Sequence, residues 1–196
     1  MDNFSNFDPI ATSISKIDQT FYTHYEDGSQ VHQTSALRII IRMIQMLAPC
    51  PGICILEIGT GSGYSTAILA NIVGEFGAVT SVDIDTDMVK RASRLLRQDG
   101  HSNVRVLIGD GRIGRSDYAP YDRIIVWASA ENEVPLPLVE QIVSDGIIVC
   151  PIKKNGNSYI ASFQKNQIGK LEEINRISGG FIPLSDTPLR PWLNEN

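Results

Sequence analysis

Apolar residues fall along this chain in short dense blocks separated by glycine, proline and small polar clusters. Blocks of six or seven with β-branched residues at their centre read as buried strands: Ile53–Ile58, Ala78–Ile84, 103–108, Tyr121–Trp127 and Gly146–Ile152. Longer blocks between them carry a helical period. One helix is expected from Ser35 to about Leu47, with Arg38, Arg42 and Gln45 as its only polar stripe and Ser35 as a plausible N-cap. Pro51-Gly52 breaks it. A second spans Tyr64–Val73. A third starts at Asp85 or Thr86, with Met88, Ala92, Leu95 and Leu96 inward and Lys90, Arg91, Arg94 and Arg97 outward, and a fourth covers 135–143. Ser158–Phe163 and Leu171–Ile177 follow with no helix between them, so they predict an antiparallel hairpin across Asn166–Lys170. A short helix around Ile10–Phe21 and the acidic turn Glu26–Ser29 precede all this and read as a cap too short to bury much. The tail from Phe181, with three prolines, is expected to be extended. Strand and helix alternate as far as Ile152, which predicts an α/β fold with a largely parallel sheet.

The first strand runs into Gly59-Thr-Gly-Ser-Gly63 and then directly into a helix. Glycines let backbone approach a ligand, and a helix N-terminus offers it unpaired N–H groups. The spacing is G-x-G-x-G, one residue short of the dinucleotide fingerprint. Asp83 ends the second strand 20 residues after Gly63, where a carboxylate can accept from both ribose hydroxyls, and Asp110 follows the third strand. Taken alone, the turn could be a tight strand-to-helix connection and the aspartates ordinary loop residues. Their coincidence along one sheet edge points to an adenosine-type ligand. The expected architecture is a Rossmann-like, doubly wound, mostly parallel sheet with an antiparallel C-terminal hairpin.

Composition narrows the class. A chain of 196 residues, 42% apolar and 20% charged, is most simply one soluble domain. Its formal net charge of −5 argues against a general nucleic-acid or anionic-membrane surface. No apolar run approaches the ~18 residues that span a bilayer, and the N-terminus lacks a signal-peptide pattern, so a cytoplasmic protein is expected. Cys50, Cys54 and Cys150 are too few and too irregular for a disulfide frame or zinc site. Cys54 and Cys150, within strand-like runs, read as small buried hydrophobes. His24, His32 and His101 form no ligand cluster, and no metal site is expected.

Leu56-Glu-Ile-Gly-Thr-Gly-Ser-Gly-Tyr64 resembles motif I of S-adenosylmethionine-dependent methyltransferases, most closely that of the protein-L-isoaspartate O-methyltransferases. The resemblance continues through Gly109-Asp-Gly-Arg112, Ala119–Val126, Val134-Pro135, Leu138-Val-Glu-Gln141, Gly146–Pro151 and Phe181-Ile-Pro-Leu184. It implies a single methyltransferase domain over 1–196, with a cap (1–34), a catalytic core (35–184) and a tail (185–196). It implies S-adenosyl-L-methionine as cofactor. Glu57, Gly59, Thr60, Gly61 and Gly63 would surround its methionine part, Asp83 the ribose, and Ile84, Asp110 and Gly111 the adenine. Ser35, aligned with the family's active-site serine, would bond the substrate carboxylate as the candidate catalytic residue, beside Thr34, Trp127 and Leu184 on the substrate side.

The implied reaction is methyl transfer to an isoaspartyl or aspartyl carboxylate of a protein or peptide; in the repair enzymes the ester then cyclises to a succinimide. A carboxylate is already ionised at neutral pH, so no general base is needed, consistent with the absence of a Ser-His-Asp or Cys-His pattern. Two departures bear on the acceptor. Ala36-Leu37 stand where the family has a proline two residues beyond its serine, and Trp127 stands where it has a small residue. Trp127 is either a core aromatic or a group that reshapes the pocket. The alternatives are a relative that methylates a natural-product peptide or small molecule, and a non-catalytic protein that binds S-adenosylmethionine. A nicotinamide-dependent dehydrogenase is disfavoured by the glycine spacing, an RNA methyltransferase by the acidic charge.

Overall fold

The structure, a computed structural model, describes residues 8–188. Helices α1 (Pro9–Ser15) and α2 (Gln19–Thr23) each start on an aspartate, Asp8 and Asp18, whose carboxylate accepts from first-turn amides. The single helix expected across Ile10–Phe21 is therefore two, because Asp18 caps a new turn. This segment also buries more than its length suggests. Ile10, Ile17, Tyr22 and Val31 are interior, and the Tyr22 hydroxyl donates to Asp99 at 2.7 Å.

Helix α3 (Leu37–Leu47) buries Ile40, Met43, Ile44, Met46 and Leu47 and leaves Arg38, Arg42 and Gln45 outside, as its stripe requires. Then come β1 (Cys54–Ile58), α4 (Tyr64–Val73), β2 (Ala78–Asp83), α5 (Thr86–Gln98) and β3 (Val104–Ile108). Two single-turn 3-10 helices lead to β4 (Tyr121–Val126), β5 (Ala130–Glu131), α6 (Leu136–Gln141), β6 (Ile142–Lys154), β7 (Asn157–Lys165) and β8 (Leu171–Ser178).

The eight strands form one sheet in the order β3-β2-β1-β4-β6-β7-β8, with β5 alongside β6. Pairings from β3 across to β6 are parallel, and β7 and β8 are antiparallel. The Rossmann-like α/β class read from the sequence is the observed one. After β1 the chain moves outward to β3, then returns to place β4 on the other side of β1. That reversal opens a crevice at the strands' carboxyl ends, where open α/β sheets bind ligands.

Strand side chains alternate between two cores. Ile55, Ile125 and Val149 join α3, α4 and α5 on one face. Leu56, Ile124, Val126, Ile148 and Cys150 join Leu138 of α6 on the other.

Several local expectations are corrected. Helix α6 stops at Gln141, not 143, because Ile142 is already paired with Tyr121 of β4; β6 therefore starts well before Gly146. β6 and β7 form a hairpin closed by Asn155-Gly156, both at positive φ (51° and 77°). The Asn-Gly pair was its legible signal. Cys54 is exposed at the start of its strand, whereas Cys150 is buried. Arg91 does not simply point outward; it is half-buried and donates to the carbonyls of Tyr22 and His24. Among the described residues no helix is long and apolar enough to cross a membrane, and no cluster of His, Cys, Asp or Glu could hold a metal ion. Of the expected extended tail, residues 189–196 lie outside the described residues.

Candidate functional site

A cavity of about 240 Å³ lies over the crevice between β1, β2 and β4. Its floor is the glycine turn, through Gly59, Thr60 and Gly61. Gly61 has φ +49°, and a Cβ there would stand 2.4 Å from the Gln33 carbonyl oxygen. Only glycine lets the cap lie this close to the turn; the Ser62 N–H then donates to that same carbonyl at 3.2 Å. Gly63, at φ +86°, ends the turn as the cap of α4 but does not line the cavity.

Asp83 and Ile84 line the cavity beside the turn. The Asp83 carboxylate accepts from the Gly61 N–H at 2.8 Å through one oxygen and from the Asp85 N–H at 2.9 Å through the other. Each oxygen keeps a lone pair for a ligand hydroxyl. Burial raises the Asp83 carboxyl above the usual carboxylate range, against the lowering effect of those bonds. Gly111 also lines the cavity, and a Cβ on it would meet Ile58 at 2.2 Å. Asp110 caps the 3-10 turn and pairs with Arg112 at 2.7 Å, outside the cavity. The sequence pointed to the right loop and to one cavity residue of the two.

Glu57 is the third expected site residue, after Gly63 and Asp110, that does not line the cavity. It is fully buried, and its carboxylate accepts four hydrogen bonds. Ser65 Oγ (2.6 Å) and Trp127 Nε1 (2.9 Å) donate to one oxygen, Thr66 Oγ1 (2.5 Å) and Ser81 Oγ (2.7 Å) to the other. Burial pushes its carboxyl up, and the four donors oppose that. With the Ser81 proton spent on Glu57, the Thr60 hydroxyl donates to Ser81 Oγ at 2.6 Å. Thr60, Ser65 and Trp127 all line the cavity. The buried carboxylate thus acts on the site through three neutral side chains.

The remaining walls come from distant parts of the chain. Thr34 and Ser35 line the cavity from the cap side. Ser35 is not the helix N-cap; Ala36 occupies that position without a side-chain hydrogen bond, because α3 starts only at Leu37. The Thr34 hydroxyl is buried with no partner among the described residues. Opposite, Phe181–Leu184 forms a strap pinned to Ser129. The Ser129 N–H donates to the Ile182 carbonyl and the Leu184 N–H to the Ser129 carbonyl, each at 2.8 Å. The strap's Phe181 ring sits 6.2 Å from that of Trp127, centroid to centroid, at 55°. Leu184 reaches the cavity near Gly111. Ser65 and Ser129 are among the residues not expected from the sequence; a lone serine in a helix or loop carries no periodic signal.

The groups present suit an adenosine ligand with a positive charge. A glycine turn exposes backbone, Asp83 retains acceptor capacity, and among the described residues no lysine or arginine lines the cavity. S-adenosylmethionine has those properties.

A family model described as protein-L-isoaspartate(D-aspartate) O-methyltransferase matches residues 10–188. A protein-L-isoaspartate O-methyltransferase of Methanococcoides burtonii is 43% identical over 152 residues, 76% of this chain and 73% of that protein. A solved structure of a protein-L-isoaspartate O-methyltransferase superposes with a TM-score of 0.73 at 26% identity, covering 88% of this chain and 61% of that one. Another, from Plasmodium falciparum and in complex with S-adenosyl-L-homocysteine, shares the fold with a TM-score of 0.75 at 19% identity, over 93% of this chain and 92% of its own. The fold is that of the S-adenosylmethionine-dependent methyltransferases. Within that class, the chain belongs to the protein-L-isoaspartate(D-aspartate) O-methyltransferase family.

Proposed function

We propose that this protein transfers a methyl group from S-adenosylmethionine to the free carboxylate of isoaspartyl residues in proteins or peptides. The observation that carries the acceptor assignment is the pair Thr34 and Ser35. Two adjacent hydroxyl side chains line the same cavity as the glycine turn and Asp83, and the Thr34 hydroxyl has no partner among the described residues. Such hydroxyls can donate to a carboxylate without changing its ionisation.

When bound, S-adenosylmethionine supplies an electrophilic methyl group on a cationic sulfur. The chain's own residues then have three tasks. Asp83 holds the ribose, and the turn from Gly59 to Gly61 lies against the methionine part. Thr34 and Ser35 orient the carboxylate. The strap and the cap enclose the site and exclude water. An acceptor carboxyl with a pKa of about 4 is ionised at neutral pH, so alignment rather than proton transfer is the main contribution. Exposed, unpaired Cys50 and Cys54 suit a reducing compartment such as the cytoplasm.

Incubation with methyl-labelled S-adenosylmethionine and an isoaspartyl peptide should give base-labile methyl ester. Label no higher than with the matching aspartyl peptide would overturn the assignment. Trp127 within the cavity favours a second reading, a specialised peptide or small-molecule acceptor. Transfer to such an acceptor, with none to isoaspartyl peptides, would establish it.

A further inference from the structure

Among the described residues, the cavity carries negative charge without a lysine or arginine to match it. Asp83 lines it, and Glu57 lies one side chain behind, receiving only neutral donors: three hydroxyls and one indole N–H. A buried carboxylate is costly unless hydrogen-bonded or paired with positive charge. The side chain that carries Glu57's influence into the cavity is Trp127. The residue is 8% exposed, its Nε1–H is committed to Glu57 at 2.9 Å, and its Cβ would lie 3.2 Å from a Cβ placed on Gly59. The ring therefore sits where β1 and β4 diverge. Donation to a carboxylate also makes the indole more electron-rich and its π system a better partner for a cation.

We propose that Trp127, held by Glu57, is the element of this cavity that recognises positive charge on the cofactor. It would distinguish the sulfonium of S-adenosylmethionine from the neutral thioether left after transfer. The inference rests on the cofactor reading above but not on the acceptor. Its consequence is directional: loss of charge on transfer removes an attraction and favours product release.

The test is calorimetric and needs no turnover. Binding of S-adenosylmethionine, S-adenosylhomocysteine and an analogue with a protonated amine in place of the sulfonium is measured on wild type and on Trp127→Leu. The variant should weaken both cationic ligands by about threefold to thirtyfold more than the neutral one. Equal weakening of all three, or none, would reduce Trp127 to a packing residue and overturn the proposal. Should circular dichroism show Trp127→Leu unfolded, Trp127→Phe replaces it. That variant keeps a ring with a weaker π face and loses the N–H. It should shift the ratio in the same sense by less, and an unshifted ratio again overturns the proposal. Wild type binding none of the three ligands would remove the cofactor reading and this inference together. Wild type binding them but methylating no isoaspartyl peptide would remove only the acceptor assignment.

Discussion

Ser129 and Phe181 hydrogen-bond each other in both directions: Ser129 Oγ donates to the Phe181 carbonyl and accepts from the Phe181 N–H, each at 3.0 Å. One hydroxyl thus satisfies both backbone groups of the residue that opens the strap. Ser129→Ala leaves those groups without it, at a cost of about 1–2 kcal/mol. We expect a lower denaturation midpoint and a raised KM for the acceptor peptide, with kcat changed less. Ser129→Thr, which keeps the hydroxyl, should recover most of the KM effect. Equal losses in KM and kcat would argue against a positioning role for the strap.

Arg91 ties the cap to the body. Its guanidinium donates to the carbonyl oxygens of Tyr22 (2.7 Å), His24 (2.6 Å) and Ser62 (3.3 Å), so one side chain bridges α2 and the glycine turn. Arg91→Ala should cost about 2–3 kcal/mol, in the range of hydrogen bonds to charged groups. Amide exchange should accelerate first across 19–33 and cofactor dissociation should quicken. Exchange that rises uniformly over the chain would mean that Arg91 supports global stability only.

Ser35→Ala separates structure from function, because Ser35 makes no helix-capping hydrogen bond. Its denaturation midpoint and cofactor affinity should match wild type while methyl transfer slows. Unchanged turnover would remove Ser35 from the site.

Asp83→Ala should weaken cofactor binding about tenfold to a hundredfold by removing charge-assisted bonds to ligand hydroxyls. The same group sets a pH dependence. Burial raises its carboxyl above the ordinary carboxylate range. Protonation, and with it loss of affinity, should therefore begin at a higher pH than for an exposed aspartate as pH is lowered. A titration of affinity against pH that is identical in wild type and Asp83→Asn would contradict this.

Thiol chemistry gives an independent check on the packing. Burial pushes the Cys150 thiol up to about 12, so it should stay protonated and unreactive, while Cys50 and Cys54 are exposed. An alkylating or disulfide reagent should titrate two thiols in the native protein and three in denaturant. Three fast thiols in the native protein would contradict burial of β6.

The strand, the G-x-G-x-G turn and the helix from Tyr64 are consecutive, and Asp83 follows from counting along one βαβ unit. Gly59, Gly61 and Asp83 are expected from the local pattern, Thr34 and Trp127 from the family resemblance, and all five line the cavity. Element ends were less legible. Ile142 has a helical neighbourhood in sequence but joins β6 because Tyr121 offers it a strand partner.

The sequence by itself determined the fold class and the position of the glycine turn, because these rest on residue types at short, regular spacings, and the resemblance of its ordered motifs pointed to the family. The tertiary structure alone decided how the walls are held. Glu57 meets Trp127 across 70 positions and Ser129 meets Phe181 across 52. Neither pairing has a periodicity to betray it, since each depends on strand order and on a strap returning over the sheet. Charge recognition at the cavity is such a long-range property. It arises from a buried carboxylate and the one aromatic ring through which it reaches the site.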